Sequence, residues 1–297
     1  MTRPGLRTLL LLAVLPTLPA AVHAQRPVER GAPAAPDAAV RVWNLAGPTR
    51  VVGWDRDSVS VTGTLAAGSG ELRMGGSRSA LKVAVDAPDA PLEAQGGTLL
   101  VRVPRRAQVW VKGGTGDITI EGVAGALDAW AVSGDVTVRG DADALAAETM
   151  SGDVTIVGRT GSLRLKTAGG AISVAGAAAS LTASSVSGPI RLDAADVVRG
   201  DVESVTGTVT FRGGVAPGGE LAVLTHAASI TLVLPRDLSA AFELRTFDGL
   251  LTNRFSGAPA RFSRGKPYRF ATGAAAARDA ALIRVRTLKG DITLLRR

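Results

Sequence analysis

Glycines at 116, 134, 152, 170, 188 and 207 cut the middle of the chain into four steps of 18 residues and one of 19. The first three copies read Gly-Asp-Ile-Thr-Ile, Gly-Asp-Val-Thr-Val and Gly-Asp-Val-Thr-Ile. Weaker copies start at Ala228 and Gly249, and a last one, Gly-Asp-Ile-Thr-Leu, starts at Gly290. A fixed period of this size is the mark of a stacked repeat, in which each unit buries its apolar face only against its neighbours.

Aligning the units shows what stacks on what. Ile118, Val136, Val154, Ile172 and Ile190 form one column, and Ile120, Val138, Ile156, Val174 and Leu192 a second. The two are two residues apart and so share one face of a strand. Leu127, Leu145, Leu163 and Leu181 form a third column, and Val132, Met150, Ala168 and Val186 a fourth. All four are expected to point inward. The positions between them vary freely (Trp130, Glu148 and Lys166, for example), as outward positions do. Gly122, Gly140, Gly158 and Gly176 recur at the end of the first strand, where a corner needs positive φ or close backbone approach.

Composition agrees with short strands and tight turns: 36 glycines, 4% aromatic residues and no cysteine. The expected fold is all-β, a β-solenoid (β-helix-like) with coils of about 18 residues. A long antiparallel meander or sandwich shares the same period and stays open, because period alone does not set strand direction. Before the repeats, residues 38–115 break into alternating runs such as Val40-Arg41-Val42-Trp43, read as an N-terminal β region capping the solenoid formed by 116–297.

The first 24 residues have the pattern of a secretory signal: Arg3 and Arg7, a Leu-rich core, then Val22-His23-Ala24 before a cleavage point. Residues 25–37, rich in Pro and Ala, read as a flexible linker. An exported chain, periplasmic or at the cell surface, is expected, with no transmembrane segment after cleavage. Without cysteine, thiol chemistry is excluded.

The string Val40 to Val59, then Leu99 to Gly122, then the (Ser/Thr)-Gly-Asp-(Ile/Val)-Thr units and the closing "IRVRTLKGDITLLRR" resemble an exported β-strand-repeat family of adhesin-like proteins of unknown function. That resemblance runs from about Val40 to the C-terminus. It implies a β-solenoid-like fold, an envelope location and no established catalytic residues. Ala274 to Ala277 depart from it, where a glycine-rich turn is expected.

Candidate chemistry is sparse. Asp117, Asp135 and Asp153 would stack as a carboxylate ladder, but the column continues as Ala171, Pro189 and Thr208, so a turn-forming role is favoured over calcium. No metal or other cofactor is expected. His226 is the one histidine after the signal, with no recognisable catalytic setting. Asp141, Asp143 and Glu148 are the carboxylates that a polysaccharide-active enzyme on a β-helix would use, which is an alternative function. The triplets Arg139-Gly140-Asp141 and Arg199-Gly200-Asp201 are read as chance matches.

Trp43, Trp54 and Trp110 are expected to cover the open end of the solenoid, whereas Trp130, in an outward column, is the candidate surface aromatic. From Arg254 onward eleven Lys or Arg face two Asp, a net +9. Taking this and the +2 of Arg3 and Arg7 from the formal +8 leaves −3 for the rest. Arg261, Arg264, Lys266 and Arg269 interleave with Phe255, Phe262, Tyr268 and Phe270. This basic end reads either as a binding site for anionic envelope glycan or lipid headgroups, or as a guard on the last strand edge. Nucleic acid is not expected for an exported chain; another envelope protein is a possible partner. The expected function is a non-enzymatic envelope or surface binding and scaffold protein, with an accessory role in envelope stress sensing as a further alternative.

Overall fold

The computed structural model describes residues 25–66, 68–86, 97–256, 265–273 and 279–297. The signal segment therefore lies outside the described residues, as do Arg261, Phe262, Arg264 and Ala274 to Ala277.

The elements are all strands. The first eight are β1 (Arg26–Pro33), β2 (Ala39–Asn44), β3 (Thr49–Trp54), β4 (Ser58–Leu65), β5 (Leu72–Ser77), β6 (Ala80–Val85), β7 (Gly97–Pro104) and β8 (Gln108–Gly113). The repeats supply β9 (Ile118–Glu121), β10 (Ala126–Ala131), β11 (Val136–Arg139), β12 (Ala142–Thr149), β13 (Val154–Thr167), β14 (Ile172–Ser185), β15 (Ile190–Ser204) and β16 (Val209–Thr225). The chain closes with β17 (Ile230–Leu234), β18 (Ala240–Asp248), β19 (Leu251–Asn253), β20 (Tyr268–Thr272), β21 (Ala281–Lys289) and β22 (Ile292–Arg296). No helix of the described residues is long and apolar enough to cross a membrane.

Strand direction decides between the two architectures that the period allows. From β2 to β22 the coils pair in parallel, as Val136 with Ile118 and Val154 and Leu145 with Leu127 and Leu163, with register shifts only at the corner of β14–β15 and β15–β16. Antiparallel pairs occur only towards the two ends, as β1–β4, β4–β7, β5–β6 and β18–β20. The chain is thus a β-solenoid. Two ladders run along it, joined where β13 to β16 turn the corner without a break.

The inward columns are the core. Val136, Val154, Ile172 and Ile190 are fully buried, as are Leu163, Leu165 and Leu181 to within 2%. Where the leucine column reaches Gly200, the vacant side-chain space is filled by Leu221 and Val197. One column departs from expectation. Val132, Met150 and Val186 are 37%, 58% and 52% exposed. Leu127, Ala129 and Ala131 share the inward face, and Val132, five residues after Leu127, falls on the opposite one. The buried position at this corner belongs to small hydroxyls instead. Thr149 donates to the Gly134 carbonyl and accepts from the Gly152 N–H, and Thr167 repeats the arrangement with Gly152 and Gly170.

The repeated glycines have two distinct physical reasons. Gly122, Gly140 and Gly158 have φ of 64°, 117° and 147°, a region costly for other residues. A Cβ on Gly152 or Gly170 would instead lie 2.1 or 1.8 Å from the carbonyl oxygen of the glycine one coil earlier.

Coil order in space differs from order in sequence. β21 lies between β16 and β18, and β22 between β17 and β19, so the Gly290 copy stacks between the Ala228 and Gly249 copies. Likewise β2 sits between β8 and β6. The stack therefore does not start at Gly116: Val40 and Val109 continue the column of Leu127. Residues 26–33, expected as flexible linker, form β1 on β4. Alternation is absent from this strand, which is mostly exposed, so periodicity could not reveal it. Pro27 and Pro33 offer no N–H to a further strand at that edge.

Candidate binding face

The outward residues of the first ladder line up because the coils are in strict register. One row runs Lys82, Arg41, Trp110, Asp128, Ala146, Arg164. The next runs Ala84, Trp43, Lys112, Trp130, Glu148, Lys166. Trp130 is outward and half-buried, with the Lys112 Nζ 4.9 Å from its ring centre.

Trp43 and Trp110 were expected over the open end but stand on this same outer face. Their ring centres are 4.9 Å apart at 68°, an edge-to-face pair. The reason is alternation: Val40, Val42, Val109 and Val111 take the inward positions of β2 and β8, which leaves the indoles outside. Trp54 is separate, its Nε1 donating to the Ser58 carbonyl oxygen at 2.7 Å. An open cavity of about 650 Å³ is lined by Arg41, Trp43, Gln108, Trp110 and Asp128. Withdrawal of water from the Asp128 carboxyl, and then the like charge of Glu148, raise its pKa above the ordinary aspartate range.

The basic end is built differently. Arg269 and Arg286 both reach Glu243, at 3.3 and 3.1 Å, and Arg284 pairs with Glu220. Hydrogen bonds from Arg286 and then Arg269 outweigh desolvation and hold the Glu243 carboxyl below the usual range. Its aromatics serve packing: Phe270 stacks on Phe242 at 4.5 Å and 2°, Phe255 is buried, and Tyr268 leans on Phe270. Lys266 is exposed, while Arg261 and Arg264 lie outside the described residues.

The aspartate ladder has a clear occupation. Asp117 Oδ1 accepts the N–H of Asp135 at 2.9 Å, Asp135 that of Asp153, and Asp153 that of Ala171. The bond joins successive coils rather than closing one turn, as the sequence suggested. After Ala171 the column continues with Pro189, which has no N–H to satisfy. Asp141 likewise accepts from the Arg159 N–H. Among the described residues no group of three or more His, Asp or Glu could hold a metal. His226 is exposed beside the outward apolar corner formed by Val186, Val205, Leu288 and Phe247. Both Arg-Gly-Asp triplets lie in the coil: Gly140 is a corner, and Arg199 to Asp201 run within β15.

Against known protein families, residues 98–295 match Toastrack DUF4097. The chain belongs to that family, a domain of unknown function. No curated protein matches this Toastrack chain. Among solved structures it is similar to a "putative adhesin" from Bacteroides fragilis, at 14% identity and a TM-score of 0.48, over 93% of this chain and 99% of the other. It is also similar to a "putative cell adhesion protein" from Clostridium sporogenes, at 7% identity and 0.26, over 92% and 100%.

Proposed function

We propose that this Toastrack chain is an exported, non-enzymatic, adhesin-like binding and scaffold protein of the cell envelope, which grips an extended polymer along its outer face. The observation that carries the reading is the register of the outward rows. Successive coils repeat about every 4.8 Å, so chemically varied side chains are held in straight lines on a rigid surface. Such a surface suits a long ligand better than a small substrate. The signal-like residues 1–24 support export, to the periplasm or the cell surface. Asp117, Asp135, Asp153 and Asp141 act in structure, each bonding the next coil's N–H, which supports a role without turnover for these four carboxylates.

In this reading Lys266, together with Arg261 and Arg264, adds attraction for anionic glycan or lipid headgroups, while Arg269 is already matched by Glu243. The test is a pull-down of envelope polysaccharide and of anionic vesicles by the full chain, washed at rising salt. Polymer retention is expected, with salt sensitivity reduced in the triple variant Arg261→Ala, Arg264→Ala, Lys266→Ala. Recovery of no polymer, or turnover of any polysaccharide, would overturn the proposal.

A further inference from the structure

The cavity on β2, β8 and β10 has features that scaffolding does not explain. Scaffolding puts the aliphatics inside and leaves outward positions free, yet here two indoles meet at 4.9 Å on the solvent side. Arg41, Gln108 and Asp128 line the same cavity, and their side chains have no hydrogen bond or ion pair among the described residues. Some outward charges elsewhere are held by a partner, as Arg50 with Glu121, Arg105 with Asp55 and Arg284 with Glu220; what sets this place apart is that charge, amide and two indoles meet at one cavity. Among the described residues an exposed carboxylate, an amide and a guanidinium thus stand without a partner around an aromatic wall.

The charges select the ligand. A cationic ligand would meet Arg41, Lys82 and Lys112, and the Lys82 Nζ already lies 4.6 Å from the Trp43 ring centre. An anionic ligand would meet Asp128 and Glu148. What remains is a neutral molecule with one apolar face and a rim of hydroxyls, which is the chemistry of a pyranose ring. The carboxylate accepts hydroxyl protons, the guanidinium donates to hydroxyl oxygens, and the amide does both. Trp130 lies two coils beyond Trp43 on the same row, roughly 10 Å along the solenoid axis, which is the scale of a disaccharide.

We infer that the cavity is a saccharide subsite. It takes one pyranose of a neutral glycan against the Trp43–Trp110 pair, with its hydroxyls on Asp128, Gln108 and Arg41, and the glycan continues towards Trp130. This rests on the polymer-binding reading above and names the place and the ligand class.

The test is tryptophan fluorescence and calorimetric titration of the full chain with hexasaccharides of β-1,4-linked glucose, N-acetylglucosamine and xylose. Saturable binding of at least one is expected. Trp110→Ala and Asp128→Asn should each weaken it about tenfold with unfolding temperature kept, whereas Arg269→Ala should leave it unchanged. If Trp110→Ala fails to fold, Trp110→Phe and Asp128→Asn carry the test. No saturable response to any hexasaccharide, unchanged affinity in both variants, or binding of choline instead of sugar overturns the inference. The two failures separate: envelope polymer retained equally by wild type and Trp110→Ala defeats the subsite alone, and no polymer retained at all defeats the envelope reading.

Discussion

The first ladder carries charge and aromatic groups at both of its ends, and the two ends use them in opposite ways. On β18 to β21, Glu243 gathers Arg269 and Arg286, Glu220 takes Arg284, and Phe242, Phe255 and Phe270 pack together. Arg269, Arg284, Arg286 and the three phenylalanines there help close the stack, while Lys266 stays exposed. On β2, β8 and β10 the indoles stand on the outer face, and Arg41, Gln108 and Asp128 have no partner among the described residues. Net charge points to the first of these regions, yet unmatched chemistry lies in the second. A run of basic residues marks a binding site only where the fold leaves it unpaired.

Both ends rest on one continuous stack, and the largest expected effect tests that continuity. In Gly170→Ala the new Cβ would lie 1.8 Å from the Gly152 carbonyl oxygen, and backbone must move. A loss of about 3 kcal/mol in urea unfolding is expected, in a single transition that takes both ends together. Two separate transitions would mean that the ends are independent.

Next comes Glu243→Gln, which strands two arginines at the closing end. Its carboxyl pKa is depressed in the fold, so its contribution is present above the unfolded value and is lost as pH falls through the folded one. The variant should lose about 1 kcal/mol at pH 7, and the gap to wild type should close below about pH 4 in pH-dependent melts.

Asp128→Asn is the mirror case. A raised carboxyl pKa means that the fold favours the protonated form. Stability from this group is therefore present below the unfolded value and declines as pH rises through the folded one. Removing the charge should raise stability at neutral pH by roughly 0.5 kcal/mol or less after solvent screening, while weakening saccharide binding. A variant that is both less stable and unchanged in binding would assign Asp128 to the scaffold. The smallest effect is at Gly75, where a Cβ meets nothing within 4 Å: Gly75→Ala should shift stability by no more than about 0.5 kcal/mol.

Much of the architecture is legible residue by residue. The columns of Ile118 and Ile120, the leucine column and the corner glycines are all where their spacing places them. Val132 points outward because parity and not apolar character sets the inward face, and the inward hydroxyls of Thr149 and Thr167 look like spacers in the sequence. The site was half legible. Trp130 could be placed outward because Glu148 and Lys166 share its column. Trp43 and Trp110 could not, since their strands lie before the strict repeat, although the alternation of Val40, Val42, Val109 and Val111 already held the answer.

By itself the sequence determined the coil length, the inward rows and the places where only glycine fits, because each is written locally and repeated every 18 residues. Only the tertiary structure decided that the coils pair in parallel, that β21 and β22 enter between earlier coils, and that β2 comes to lie beside β8. The physical reason is degeneracy. An aliphatic row accepts any coil with an aliphatic in register, so local pattern specifies what a coil is but not which coil it meets. The meeting of Trp43 with Trp110, 67 positions apart in sequence, is a product of that choice.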